Sequence, residues 1–468
     1  MIKRKSLFLL CLASMWLSAN HVHGQRSEVL SDDIHTIQVV AGDRWQDIPM
    51  IELGNGESIT ISFDELSHTY RRFSYRVEHC DWDWTVSENL LTSEYVEGFA
   101  EGLTVDEWNR SSGTTQLYSH FELRLPNKDC KVLMSGNYRV SIYDDNGGED
   151  PVIRAYFMVC ENAVRTQMKV RSDTDFDIYG RHQQVEMSID FGGLRVQRPE
   201  NQLHTVVLQN GRWDNARINV APRAIRSDGL EWSHCEEFVF TAGNEYRKYE
   251  VLDVKHPTMG IDRISWDGSS YHVYPWLCEP RRNYVYDEDA NGAFYVRNGE
   301  NIENNLCSEY VYVHYVLKCD EPMRGDVFIN GQWTNDWLTP KYKMTYNEAE
   351  EQYEITIFQK QGYYNFQFLL VSPEGTVSSL PSEGDFFETE NSYQALVYYR
   401  ELGGRTDLLV PNRYTQSERE KKCLIKSEQS ATSKTSSRLF TFCCLSEIIK
   451  HYAFGIYTKR IEHSLYSL

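Results

Sequence analysis

Strict alternation of side-chain character is the feature that most limits how this chain can fold. In the stretch 51–84, IELGNGESITISFDELSHTYRRFSYRVEHCDWDW, Ile59, Ile61 and Phe63 alternate with Ser58, Thr60 and Ser62, and Phe73, Tyr75 and Val77 recur at every second position farther on. Successive side chains of a strand point to opposite faces, so each run has one apolar and one polar face. Two strands joined by a turn-rich connection follow. Carried through His79, Cys80, Asp81, Trp82, Asp83 and Trp84, the same period sets the two aspartates on one side and Cys80 with both tryptophans on the other.

The pattern repeats along the chain. Strands are expected at 34–40, 116–125, 136–143 and 152–159, the last two joined by Asp144-Asp145-Asn146-Gly147-Gly148, because Asn-Gly between alternating runs is a hairpin signal. Residues 87–110 lose the alternation and read as a long loop with one helical turn. A second set of strands is expected at 168–172, 184–190, 203–209, 237–240, 247–251 and 272–274, with 210–215 as a tight turn, and a third at 309–317, 326–329, 353–358, 363–371 and 393–399. No helix of more than a few turns is required between Ser27 and Arg413. At about 150 residues per domain, 468 residues make roughly three domains. The expected class is all-β, with tandem immunoglobulin-like β-sandwiches at 26–163, 164–303 and 304–415, the polar segment 298–305 marking the second boundary.

Met1 to Gln25 has Lys3, Arg4 and Lys5, an apolar core from Leu7 to Leu17, and small or polar residues up to Gly24. That is the layout of a secretory signal, too short in its core for a mature membrane anchor. No later apolar run reaches the length of a spanning helix, so direct membrane insertion is not expected. A formal net charge of -20 argues against a nucleic acid or an anionic lipid surface as partner. Of eleven cysteines, Cys80, Cys130, Cys160, Cys235, Cys278, Cys307 and Cys319 are spread without zinc or disulfide-scaffold spacing and read mostly as small buried hydrophobes.

Several blocks resemble one known family: PMIELGNGESITISFDEL, RVEHCDWDW, LTSEYVEGF, LMSGNYRVSIYDD, VVLQNGRWDNA, SYHVYPWLCEPRRNYVYDEDANGAFYVRNGE, EYVYVHYVL and QGYYNFQFLL. They occur in order across about 34–413 and are similar to the plug proteins of the type IX secretion system of Bacteroidetes. The resemblance implies a periplasmic, non-enzymatic protein at the inner face of the outer membrane. Such a protein docks on a wide outer-membrane translocation barrel, seals its resting pore, and needs no cofactor. Similar proteins end shortly after a block like VYYRELGGRTDLL, so the tail 416–468 is expected to lie outside the fold, the product of a shifted frame or a missed stop, with a genuine C-terminal appendage that contacts a partner as the rival reading.

Chemistry in the sequence is sparse. Asp287-Glu288-Asp289-Ala290-Asn291-Gly292 matches half of a calcium loop, but the twelfth position is Asn298 instead of a bidentate Glu, and an ordinary Asn-Gly hairpin turn is expected. His79, Asp81 and Asp83 lack a second ligand or base tied to them by spacing, so a packed strand end is expected there. No catalytic, cofactor or metal motif stands out: there is no phosphate-binding glycine loop, nucleophile elbow, HExxH or CxxC. Trp333 and Trp337, in NGQWTNDW, resemble the sugar-facing tryptophans of starch- and glycogen-binding sandwiches. They carry the alternative reading, a carbohydrate-binding accessory protein whose third domain is similar to carbohydrate-binding and early-set sandwiches.

Overall fold

The computed structural model describes residues 26–410 and the strand Gln416–Glu418. The signal segment 1–25 and the tail from 419 onward lie outside the described residues. The described chain is nearly all β, built as sandwiches.

The first sandwich faces two antiparallel layers across one core. One layer runs in the order Glu28–Val29, Ile153–Cys160, Gly136–Asp144, Phe73–Cys80 and Glu101–Thr104, with Met50–Glu52 added in parallel to Ile153–Cys160. The other runs Ile34–Ala41, Ile59–Glu65, Ser119–Leu125 and Glu107–Arg110. The alternating residues meet inside: Phe63 stacks on Phe121 at 5.2 Å, and Phe73 meets both edge-on at 5.3 and 4.8 Å. All three rings are essentially inaccessible, and full burial of each stabilises by about 1.5–3 kcal/mol.

In the second sandwich, one layer orders Arg165–Arg171, His182–Asp190, Gly229–Trp232 and Ala224–Ile225. The opposing layer orders Arg212–Ile218, Leu203–Gln209, Ser392–Tyr399 and Leu408–Leu409. Trp232, Phe238 and Tyr393 fill the space between them. The third sandwich sets Arg247–Glu250, Gly362–Val371 and Phe294–Val296 against Ile261–Trp266, Tyr271–Pro275, Tyr310–Lys318, Gln352–Lys360 and Thr345–Asn347. Tyr249, Tyr315, Tyr364 and Phe366 pack at its centre.

These pairings depart from the expected division at 303 and 304. Arg247–Glu250 pairs with Gly362–Val371, and Tyr271–Pro275 runs parallel to Tyr310–Lys318, so both belong to the third sandwich. The Ser392–Tyr399 strand instead pairs with Leu203–Gln209 along its whole length, from Leu203 opposite Tyr399 to Gln209 opposite Tyr393. The third sandwich is thus an insertion in the second. Alternation tells which residues form a strand and which face is apolar, but not which neighbour a strand pairs with.

Local departures have equally plain causes. The strand that begins at Phe73 stops at Cys80, and residues 81–84 form a turn in which Trp84 is left-handed (φ 65°), so the expected split of aspartates from tryptophans is lost. Residues 87–110 hold the helical turn Thr92–Tyr95 and three short strands, two of which edge the sheets. Strands of three or four residues are too short to show a period. The tight turn expected at 210–215 is confined to Asn210 and Gly211, both at positive φ (54° and 68°), and Arg212–Ile218 is already the strand that returns on Leu203–Gln209. Asn291 and Gly292 do adopt positive φ, 50° and 89°, but the strand that follows pairs with Gly362–Val371 and not with the preceding strand, so the segment is no hairpin. Gln416–Glu418 pairs with Ser392–Gln394, which carries the fold three residues into the segment expected to lie outside it.

Candidate functional site

The densest buried polar geometry among the described residues lies in the seams that join the three sandwiches. Between the first and second, the outward side chains of two layers meet: Met50, Trp84, Tyr156 and Met158 pack on Val206, Leu208, Leu396, Tyr398 and Leu409. The rim of that apolar patch is polar and tied across. Arg400 spans Asp407 (2.6 Å) and Asp81 (2.9 Å), while Thr406 Oγ1 and Ser87 Oγ donate to Asp81 Oδ1 at 2.6 and 2.7 Å. Burial opposes ionisation of Asp81, yet these donors and the guanidinium hold its carboxyl below the usual range. His79 is spent on structure: its ring nitrogens meet Ser87 Oγ and the Ser135 carbonyl, and burial lowers its pKa. Asp83 accepts from Thr85 alone at its turn. Asp81, the candidate from the sequence, is therefore a strut between sandwiches.

Between the first and third sandwiches lies a buried ionic knot. Asp64, on the outward face of Ile59–Glu65, accepts from Lys360 Nζ (2.6 Å), Tyr310 Oη (2.6 Å) and His120 Nδ1 (2.7 Å). The Asp64 and Lys360 side chains are each only 1% exposed. Lys360 also donates to the Asn305 carbonyl and lies over the Tyr118 ring at 4.1 Å. Burial disfavours every charge here, but Lys360 and His120 hold the Asp64 carboxyl low, and Asp64 with Glu122 raises His120 against its own desolvation. Lys360 is lowered by burial, which Asp64 only partly offsets.

A third seam gathers Arg26, Arg212, Asp214 and Asp336 where the start of the described chain meets the second and third sandwiches. Arg26 lies 3.7 Å from Asp214, and Asn330 Nδ2 donates to Asp336 at 2.9 Å. Burial raises the Asp336 pKa while the neighbouring arginine charge opposes it. The second and third sandwiches are joined by two chain crossings. Asn391 Nδ2 donates to Gln183 Oε1 (3.0 Å) and the Ala242 carbonyl (2.7 Å) beside both of them.

The tryptophans singled out in the sequence sit at these seams. Both line a cavity of about 330 Å³ between the Ile34–Ala41 strand and the third sandwich. Trp333 donates to the Asn365 carbonyl and lies parallel to Tyr315 at 6.0 Å, with Tyr342 and Tyr364 edge-on to it. Trp337 donates to the Ser27 carbonyl, with Arg26 5.9 Å from its ring. Asp289, from the half calcium loop, accepts from the backbone of Tyr246 and Asn291, and burial pushes its carboxyl up to about 7. Among the described residues no cluster of His, Cys, Asp and Glu could hold a metal, and no helix is long and apolar enough to cross a membrane. Cys80, Cys130, Cys235, Cys278 and Cys319 are free and buried, and Cys307 is free and half-buried.

Sequence reasoning missed Asp64, His120, Tyr310 and Lys360. Each sits at or next to the end of its strand, where a charge or a tyrosine reads as ordinary, and partners 296 residues apart leave no spacing to read.

Residues 34–161 match the family model described as the first domain of the type 9 secretion system plug protein. No curated protein matches the chain. Among solved structures, the crystal structure of a hypothetical protein from Parabacteroides merdae ATCC 43184 is 36% identical, with a TM-score of 0.80 over 82% of this chain and 98% of that one. This chain belongs to the type IX secretion system plug protein family.

Proposed function

We propose that the chain acts as a periplasmic plug: it docks on the inner mouth of the resting outer-membrane translocation barrel and seals it by shape, without chemistry of its own. The observation that carries this reading is the set of buried seams. A stopper holds back water and ions only if it does not flex open, and an insertion entered and left by two crossings, with ion pairs tying the first sandwich to the other two and hydrogen bonds at the crossings, resists hinging. Sealing calls for a specific interface of roughly 1,200–2,000 Å² with a few aromatic anchors, and release calls for a competitor that binds one state better than the other. Export to the periplasm and the absence of catalysis come from the family and from the signal-like segment 1–25.

The test is permeability. Deleting the gene in a host that carries the translocon is expected to make the outer membrane leak large hydrophilic solutes, and restoring the chain to close it. Unchanged permeability, or a purification from solubilised outer membranes that brings down no large barrel, would reject the proposal.

A further inference from the structure

The cavity that Trp333 and Trp337 line is walled mainly by hydrocarbon and aromatic rings. Ile34 and Ile37 of the first sandwich close one side of it, and Phe294, Tyr342, Ile357 and Phe358 of the third close the other. Its volume of about 330 Å³ is that of a small-molecule site. The polar ends of the larger rings are turned into the protein: Trp333 and Trp337 donate to the Asn365 and Ser27 carbonyls, each at 2.9 Å, and Tyr364 Oη donates to the Lys360 carbonyl at 2.5 Å. What these three residues have left to offer a ligand is ring surface.

The charged groups around the cavity are spent as well, except one. Glu28 is held by Arg154 (3.0 Å), and Lys360 by Asp64 (2.6 Å) and the Asn305 carbonyl (2.7 Å). Burial lowers the His35 pKa, which keeps that ring neutral at pH 7. Lys341 is different. Its side chain is exposed at the rim, with no hydrogen-bond or ion-pair partner among the described residues. The ammonium lies 5.7 Å from the Tyr342 ring, and Asp32, the carboxylate that acts on it, stays beyond ion-pair distance. The lining thus holds one unspent cation and no unspent anion.

We propose that this cavity binds a free aliphatic monocarboxylate, a fatty acid of medium chain length, with its hydrocarbon against the aromatic walls and its carboxylate at Lys341. An apolar recess holds hydrocarbon in preference to water, and an ammonium gives a carboxylate a charge-assisted hydrogen bond. If a methylene takes up about 30 Å³, close to the share of a water molecule, a chain of about ten carbons fills the space. A neutral sugar fits less well, because each hydroxyl taken out of water needs a partner and the indole and Tyr364 donors have already given theirs away. A cationic amphiphile meets Lys341 at the rim and finds no unspent carboxylate. The inference does not rest on the plug reading.

The test is equilibrium dialysis of the full chain against radiolabelled octanoate, decanoate and dodecanoate, each below its micelle-forming concentration. Binding is expected, with each added methylene up to decanoate tightening it about fourfold, the factor carried by about 0.8 kcal/mol. Lys341→Gln should weaken decanoate binding about tenfold, the factor carried by about 1.4 kcal/mol. Leu30→Glu, at a lining position that is 48% exposed, should weaken it too, and neither variant should move the thermal midpoint. Decyltrimethylammonium and maltohexaose are the competitors, and neither should displace decanoate. No binding of any acid, displacement by either competitor, or binding indifferent to Lys341→Gln and Leu30→Glu would overturn the proposal.

Discussion

Asp64 shows how much a single side chain can decide where two sandwiches are locked together. Its carboxylate joins a lysine, a tyrosine and a histidine drawn from two sandwiches, and no water-exposed route relieves it once a partner is lost. Removing one member of a buried pair typically costs 3–5 kcal/mol, because the other charge stays desolvated. Lys360→Met is therefore expected to lower the unfolding free energy by about that amount in urea titration, while Lys360→Met combined with Asp64→Leu recovers most of it. The knot also sets a pH window. Asp64 has a folded pKa below its ordinary 3.8, so its contribution is complete above that pH and is lost as pH falls through the folded value. His120 has a folded pKa above 6.5, so its contribution is complete below 6.5 and is lost as pH rises through the folded value. Stability should thus crest between about pH 4 and 6.5, and His120→Asn should flatten the alkaline side of that crest in a series of thermal melts. None of this is visible in SFDEL as a string, where Asp64 reads as one more polar residue on a wet face.

Elements were far more legible than their partners. The Ile59–Glu65, Phe73–Cys80, Gly136–Asp144 and Ile153–Cys160 strands announce themselves by alternation, and the residues on their apolar faces are those the core buries. Short edge strands such as Glu107–Arg110 escape, because four residues cannot establish a period and Trp108 is the single apolar residue that strand turns to the core. Pairing escapes for a different reason: register and neighbour are set by packing between strands distant in the chain, as Ser392–Tyr399 on Leu203–Gln209 shows. That strand carries Tyr393, Ala395 and Val397 into one core and Leu396 and Tyr398 into the seam with the first sandwich. A chain ending at residue 390 should consequently lose the second sandwich altogether, measured as loss of cooperative melting, whereas one ending at 418 should melt like the whole. The tryptophans of NGQWTNDW are tested at the same scale. Trp333 packs among Tyr315, Tyr342 and Tyr364, so Trp333→Ala should cost about 3–5 kcal/mol of stability; slower migration of the unmodified chain, but not of Trp333→Ala or Trp337→Ala, in a glycan-containing gel would instead favour sugar binding at their cavity.

For the molecule as a whole, the proposed plug role turns on which face would meet the pore. The resemblance to plug proteins was carried by sequence blocks, but a docking face is a matter of exposure, which strings of residues do not record. The loop between Arg165–Arg171 and His182–Asp190 exposes Phe176, Ile178 and Tyr179 at 73%, 75% and 56%. Tyr179 rests on Phe387 at 5.3 Å, and the backbone of Phe387 donates to Gly180, so the loop is held against the segment by which the chain returns from the third sandwich. Large apolar side chains held out on a braced loop cost solvation in the free protein and supply the aromatic anchors that dominate protein interfaces. If this loop seats the plug, Phe176→Ser with Ile178→Ser should leave the melting midpoint within a degree or two, since neither residue belongs to a core cluster. The same pair should release the barrel from co-purification and open the outer membrane to large solutes. Retention of the barrel by this variant would move the docking face elsewhere, and leakage without loss of the barrel would separate sealing from binding.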